Sequence, residues 1–472
     1  MHQHLLTRLA ADASAFREDI RDLPVVTAVA PSEIRAHLDD IYGFQQPLPL
    51  TTVCSDVWRM LRDWNVHVTH PRYFGLFNPS VREAGVLADL MVAAFNPQLA
   101  AWSHAPAANE IERHTLRRLA QVLGLPRDTQ ASFASGGAEA NLSAILAAMA
   151  HHFPEAGERG VAGLSVRPAL YVTAESHHSF VKIARMTGLG TAAVREVAVT
   201  DDLTMDVASL KRQIEADQRD GWHPLAIVGT AGTTGAGVID PLDNLADVAA
   251  ASGAWFHVDG AWGAAAALSP GLRPLLAGIE RADSLTWDAH KWLSVPMGAG
   301  MFFCRHPDAV HGAFSVATSY MPGASSDEVV DPYATTAQWS RRFIGLKLFM
   351  SLAELGLDGY RELIEHQTAM GDELRGRLVA AGWEVVNRTR LPVVCFTHPD
   401  LREGRSGTTD LLGRIYERQR VWISEVLLGG RQRVLRACIT SYRTEPEDLA
   451  VLVDELESAR IAMRAGPTIA TS

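Results

Sequence analysis

LAIVGTAGTTGAGVIDPLDNLADVAAASGAWFHVDG, residues 225–260, holds a complete strand–loop–helix–strand unit. LAIVGT (225–230) is a short apolar run of the length expected of a buried strand. A Gly/Thr loop leads into DPLDNLADVAAASG, where Asp240 is the expected N-cap, Pro241 the first helical residue and Gly253 the stop. WFHVD (255–259) then reads as a second buried strand. Two apolar strands joined through a helix predict a parallel crossover.

The same alternation runs outward in both directions. ASFAS (131–135) precedes the helix-like GGAEANLSAILAAMAHH, and ALYVT (169–173) precedes HHSFVKIARMTGLG. SLTW (284–287) and AGMFFC (299–304) follow as further strands. The pattern predicts an α/β fold with a mostly parallel sheet covered on both faces. Residues 1–82 read as a helical, Pro-punctuated segment, and 83–345 as the large α/β domain. Residues 346–472 read as a smaller α+β domain with EVV, PVVCF and RVLRACIT as strands and a last helix starting near Pro446. The tail GPTIATS is expected to fray.

Composition narrows the function classes. Apolar residues make up 47% and charged residues 21% of 472, the balance of a soluble globular protein. A net charge of −11 with no basic block argues against a nucleic-acid partner. No apolar stretch reaches the roughly 18 residues that cross a bilayer, and MHQHLLTRLAADASAF lacks the apolar core of a signal peptide. Cys54, Cys304, Cys395 and Cys438 lie far apart, which predicts neither a metal site nor a disulfide framework and suggests a cytoplasmic setting.

Ligands of open parallel sheets bind outside the carboxyl ends of the strands. Five segments meet that condition: Ser135-Gly136-Gly137, Glu175-Ser176-His177, Thr233-Thr234, Asp259 and Lys291. SGGAEAN offers bare backbone and free N–H groups at a helix start, suited to an anion, or simply a tight turn. It lacks a P-loop lysine and does not read GxGxxG. GLGTAA (188–193) follows a helix, not a strand, and reads as a helix stop. Asp259 either caps the turn after its strand or pairs with a protonated ring nitrogen. Lys291, in SLTWDAHKWLSVPMGAG (284–300), either snorkels to solvent or is a nucleophile able to form a Schiff base. An anion-cradling turn, a carboxylate for a ring nitrogen and a reactive lysine are together what pyridoxal phosphate needs.

HVDGAWG (257–263), HKW (290–292) and SHHS (176–179), in this order, resemble the motifs of pyridoxal-phosphate-dependent amino acid decarboxylases. This is the group of aromatic-L-amino-acid, glutamate and histidine decarboxylases, with the aspartate-aminotransferase fold (type I). The resemblance runs from HPRYF near residue 70 to RVLRACITS near residue 440. It implies a seven-stranded sheet and a homodimer with active sites at the interface, embraced by the N-terminal helices. By position it implies Lys291 as the cofactor-bearing lysine, Asp259 on the pyridine nitrogen and His177 stacked on the ring, with His178 as its alternative. Gly136, Gly137 and Ala138 would cradle the phosphate, with His290 nearby, and Thr234 and Ala261 would contact the ring. Tyr333, in GASSDEVVDPYATT (323–336), matches a loop tyrosine that protonates the product carbon, and otherwise is a surface aromatic. One departure stands out: Asp288-Ala289 precede His-Lys where many relatives have Asn-Pro, placing a carboxylate beside the phosphate position.

The resemblance implies decarboxylation of an L-amino acid to its amine and carbon dioxide. Phe77, Asn78, Ala100, Trp102 and His104 are the expected substrate pocket, although Phe77 and Trp102 would serve equally as core. No arginine is placed for a side-chain carboxylate, so an aromatic or medium-sized apolar substrate is expected. Two rivals share the cofactor: an aminotransferase, with Arg436 as carboxylate clamp, and a decarboxylation-dependent aldehyde synthase, which Tyr333 disfavours. A catalytically silent binding protein is the rival from another class.

Overall fold

The computed structural model describes residues 2–317, 329–402 and 407–464. Residues 323–328 of the loop that carries Tyr333, and the tail expected to fray, lie outside the described residues.

Seven strands form the main sheet: β1 (Gln130–Ala134), β2 (Arg167–Thr173), β3 (Val194–Val197), β4 (Trp222–Thr230), β5 (Trp255–Asp259), β6 (Ser284–Asp288) and β7 (Gly300–Cys304). Their order is β1-β7-β6-β5-β4-β2-β3. Only β7 is reversed, pairing antiparallel with both β1 and β6. The other six therefore deliver their carboxyl ends to one edge, where the five predicted segments emerge. β3, a four-residue edge strand, was not singled out from the sequence.

Strand periodicity splits the core in two. On β5 and β7, Phe256, Val258, Met301 and Phe303 face one apolar layer, while Trp255, Phe302 and Cys304 face the other. The second layer is closed by the helix Gly137–His152 through Ala140, Ala144, Ala147 and Ala148. These small side chains bring the helix close to the sheet, so that its polar residues reach the strand ends.

The unit 225–260 folds as a crossover with one correction. Its helix runs Leu242–Ser252 and stops at Gly253 (φ 69°), but Pro241 occupies the N-cap position. Asp240 turns inward instead, accepting from the backbone N–H groups of Met205 (2.7 Å) and Thr230 (2.8 Å). Burial raises its carboxyl from 3.8 to about 6.

A second sheet, of order β10-β11-β9-β8, contains β8 (Glu384–Val385), β9 (Val393–Thr397), β10 (Ser424–Leu428) and β11 (Gln432–Cys438). It packs against the long helix Leu346–Ala380 and the last helix Pro446–Arg464 around Leu374, Phe396, Ile415 and Leu452. Near the N-terminus, the helices Pro31–Ile41 and Leu50–Trp64 bury no residue fully.

Candidate active site

At the carboxyl edge of the main sheet, one cavity is lined by Gly137, Ala138, Asn141, His177, Thr234, Asp259, Ala261, Asp288 and Lys291, with Thr230, Gly232 and Trp262. All five predicted segments thus meet in one place. The β5 end holds Asp259 as an acceptor on both oxygens: Oδ1 takes the Ala261 N–H (3.1 Å) and Oδ2 the Asn141 amide (2.9 Å). Two donors leave neither oxygen of this buried carboxylate unpaired.

Lys291 follows β6 in a turn whose other residues Ala289, Trp292 and Leu293 are fully buried. Its Nζ lies 3.1 Å from Asp288 Oδ2. His290 accepts the Ala299 N–H at Nδ1 (3.1 Å), which leaves Nε2 as its N–H, 3.8 Å from the same Asp288 oxygen. Burial lowers the His290 pKa. His177 opens on the cavity and accepts the Ser179 N–H at Nδ1 (3.2 Å); desolvation lowers its pKa too.

The turn after β1 is bare backbone. A Cβ on Gly137 would fall 2.8 Å from Asp288 Oδ2, and one on Gly300 of β7 would fall 2.6 Å from Gly136 Cα. At Gly300 the Cβ would meet backbone that cannot give way, and at Gly137 it would displace the Asp288 carboxylate. Among the described residues, Thr230 Oγ1, Trp262 Nε1 and Asp288 Oδ1 are buried without a hydrogen-bond partner, three polar atoms on one cavity's lining residues. Unpartnered donors and acceptors, free N–H groups at a helix start, a charged carboxylate and an amine suit a polar, phosphate-bearing carbonyl compound.

The expected substrate residues divide. Phe77 stacks on Trp262 (centroids 4.6 Å) with Lys291 Nζ 6.0 Å from its ring centre. Asn78 is half-buried, its amide 3.2 Å from Met297 Sδ. None of Phe77, Asn78, Ala100, Trp102, His104 and Tyr333 is among the residues that line the Lys291 cavity of their own chain. Ala100, Trp102 and Tyr333 fall in one cluster instead: Tyr333 N–H donates to Ala100 O (3.0 Å), its ring packs on Trp339, and Trp102 N–H donates to Asp331. His104 is exposed.

Arg436 is 2% exposed and already engaged. It donates to Thr234 O (2.6 Å), Gly75 O (3.3 Å) and Ser424 Oγ (3.1 Å), joining the second sheet to the cavity wall at Thr234 and to the segment that carries Phe77. Glu175 makes a parallel link, accepting the Gly429 N–H (2.6 Å).

Residues 31–398 match the model of the pyridoxal-dependent decarboxylase conserved domain. The chain belongs to this family. It is 28% identical to an aromatic-L-amino-acid decarboxylase of Bacillus atrophaeus over 400 residues, covering 83% of this chain and 82% of that one. It is 29% identical to tryptophan decarboxylase 1 of Oryza sativa (91% and 87% covered) and 28% identical to a mouse acidic amino acid decarboxylase (87% and 76%). Among solved structures, an Oryza sativa TDC with PLP and tryptamine superposes with a TM-score of 0.91 at 26% identity, covering 98% of each chain. The fold is that of the type I pyridoxal-phosphate enzymes, the cofactor is pyridoxal 5'-phosphate, and the reaction is decarboxylation of an amino acid.

Asn141 and His257 lie in the quoted motifs SGGAEAN and HVDGAWG but were given no role there, although simple periodicity reaches both. Asn141 is four residues beyond Gly137 on the same helix face, and His257 is two residues before Asp259 on the same strand face.

Proposed function

We propose that the chain decarboxylates an aromatic or medium-sized apolar L-amino acid in the cytoplasm, as a homodimer. The observation that carries the site assignment is the convergence of Lys291, Asp259, His177, Thr234 and the Gly137–Ala138 backbone on one cavity. Phe77 stacked on Trp262 supports the apolar substrate, since the pair presents flat, weakly polar surface beside Lys291. The engagement of Arg436 with two carbonyls and a hydroxyl speaks against a free clamp, and so against an aminotransferase.

Lys291 would hold the cofactor, Gly136, Gly137 and Ala138 would receive its phosphate near His290, and His177 would cover one ring face with Ala261 and Thr234 at the edges. Bound pyridoxal phosphate supplies an electron sink for the bond to the departing carboxylate. Asp259, with its two oxygens held by Asn141 and Ala261, would keep the proton on the ring nitrogen. Preorganised charge of this sort is often the largest catalytic contribution. Lys291 would yield its place on the cofactor to the substrate amine and regain it as the product amine leaves, and Phe77 and Trp262 would exclude water from one side.

Tyr333, Trp102 and Ala100 would serve the cavity of the partner subunit, Tyr333 as proton donor. The support is twofold: they cluster outside their own cavity, and the helix Glu83–Phe95 exposes Leu87, Leu90, Met91 and Phe95 along one face. A second copy would cover that face. Four free cysteines fit a reducing compartment.

The test is carbon dioxide and amine yield across L-tryptophan, L-tyrosine, L-phenylalanine, L-leucine, L-glutamate and L-cysteine sulfinate. Highest turnover on the aromatic acids is expected. Preference for the acidic ones would overturn the substrate assignment, and aldehyde with peroxide would make the chain an aldehyde synthase. Keto acid without carbon dioxide would make it an aminotransferase, and no turnover with cofactor bound would make it a silent scaffold.

A further inference from the structure

The face of β5 that carries Asp259 also carries His257 and Trp255, two and four residues earlier. All three enter one buried hydrogen-bonded chain between the sheet and the helix Gly137–His152. Trp255 Nε1 donates to Ser284 Oγ (2.7 Å), Ser284 Oγ lies 2.9 Å from His257 Nδ1, and His257 Nε2 lies 3.0 Å from Asn141 Oδ1. Asn141 Nδ2 then reaches Asp259 Oδ2 at 2.9 Å. His257 and Ser284 face each other in the β5–β6 register, and both are essentially without solvent contact.

The direction of every bond follows from the two ends. An indole N–H only donates, so Trp255 occupies a lone pair of Ser284, whose own proton goes to His257 Nδ1. His257 then carries its proton on Nε2 and gives that bond to Asn141 Oδ1, which turns the amide N–H to Asp259. Reversing the chain would make Ser284 accept from both Trp255 and His257, leave its hydroxyl proton without a partner among these residues, and require Asp259 to be protonated. Unmade hydrogen bonds at buried sites are costly.

We infer that His257, as its neutral Nε2–H form, is a positioning residue that holds Asp259, through Asn141, as an anion directed at the ring nitrogen. Burial lowers the His257 pKa to about 4, so the neutral imidazole persists at neutral pH. His257 and Ser284 do not line the cavity, whereas Asn141 and Asp259 do. The effect of His257 therefore reaches the cavity through Asn141 and Asp259, and this rests on the site assignment above.

Two probes separate that path from general support of the fold: pyridoxal phosphate, and its analogue with C–H in place of the ring nitrogen. Dissociation constants for both are measured on wild-type and His257→Phe apoenzymes. The expected result is a loss of about 10- to 100-fold for pyridoxal phosphate, the usual weight of residues that orient a ligand-binding group, and less than about twofold for the analogue. Equal losses for both compounds, or none for either, would overturn the inference. Should His257→Phe yield no folded apoenzyme, Ser284→Ala removes one hydroxyl at the far end and should weaken pyridoxal phosphate alone by about fivefold; no selective loss there overturns it equally. A wild-type apoenzyme that binds neither compound would instead refute the cavity assignment.

Discussion

Arg436→Lys distinguishes a residue that grips substrate from one that holds the site together. The guanidinium makes three bonds, to Thr234 O, Gly75 O and Ser424 Oγ, from a position 2% exposed. A lysine keeps the charge but, as a single point donor at the end of a flexible stem, can replace one of them. Bonds from a charged donor contribute about 1.5–3 kcal/mol each, so losing two costs about 3–6 kcal/mol. The loss falls on the contact between the second sheet and the segments bearing Thr234 and Phe77. Urea unfolding of the holoenzyme should move to a lower midpoint, and fluorescence titration of the apoenzyme should show weaker cofactor binding. The Michaelis constant should change only in step with cofactor occupancy. Unchanged unfolding and cofactor affinity, with a Michaelis constant raised at saturating cofactor, would refute the reasoning and make Arg436 a carboxylate clamp.

Lys291→Ala should abolish both turnover and the visible absorbance near about 400–430 nm of a lysine-linked cofactor; retention of both would sink the central assignment. Asp288→Asn removes a negative charge beside the Gly137 turn, and phosphate repulsion with it, so cofactor affinity should rise by about tenfold, or ~1.4 kcal/mol; a weaker complex contradicts this. Asp240 binds its proton more tightly folded (about 6) than unfolded (3.8). Its contribution to stability is therefore full below pH 3.8 and lost as pH rises through 6, about 3 kcal/mol in all. Asp240→Asn should lack that slope, so its urea midpoint relative to wild type should improve from pH 4.5 to 7.5; parallel profiles would contradict the burial argument.

The strands and the edge they share were legible because a buried parallel strand is a short unbroken apolar run, and LAIVGT, WFHVD and SLTW are such runs. Lys291 and Asp259 were legible for the converse reason, as charges at the ends of apolar strands. Asp240 was misread because the aspartate-proline dipeptide signals a helix start, whereas the nearby unpaired N–H groups of Met205 and Thr230 took its side chain instead. His257, though it opens the motif HVDGAWG, was given no role because a histidine inside an apolar strand looks like filler until its neighbours Ser284 and Asn141, distant in sequence, are in place. Trp102 and Tyr333 mark a different limit: spacing brings them to an edge of the fold, but no single-chain pattern says whose cavity they complete.

The missing side chain of Gly300 has a practical consequence. This residue begins the one reversed strand, points toward no ligand-lining atom of its own, and abuts the Gly136 backbone. In a saturation library of this enzyme, variants at Gly300 would score as cofactor-deficient while retaining every residue that touches the cofactor. A screen read by proximity alone would discard such a position as background, and a designer reshaping substrate preference should hold it constant from the first round.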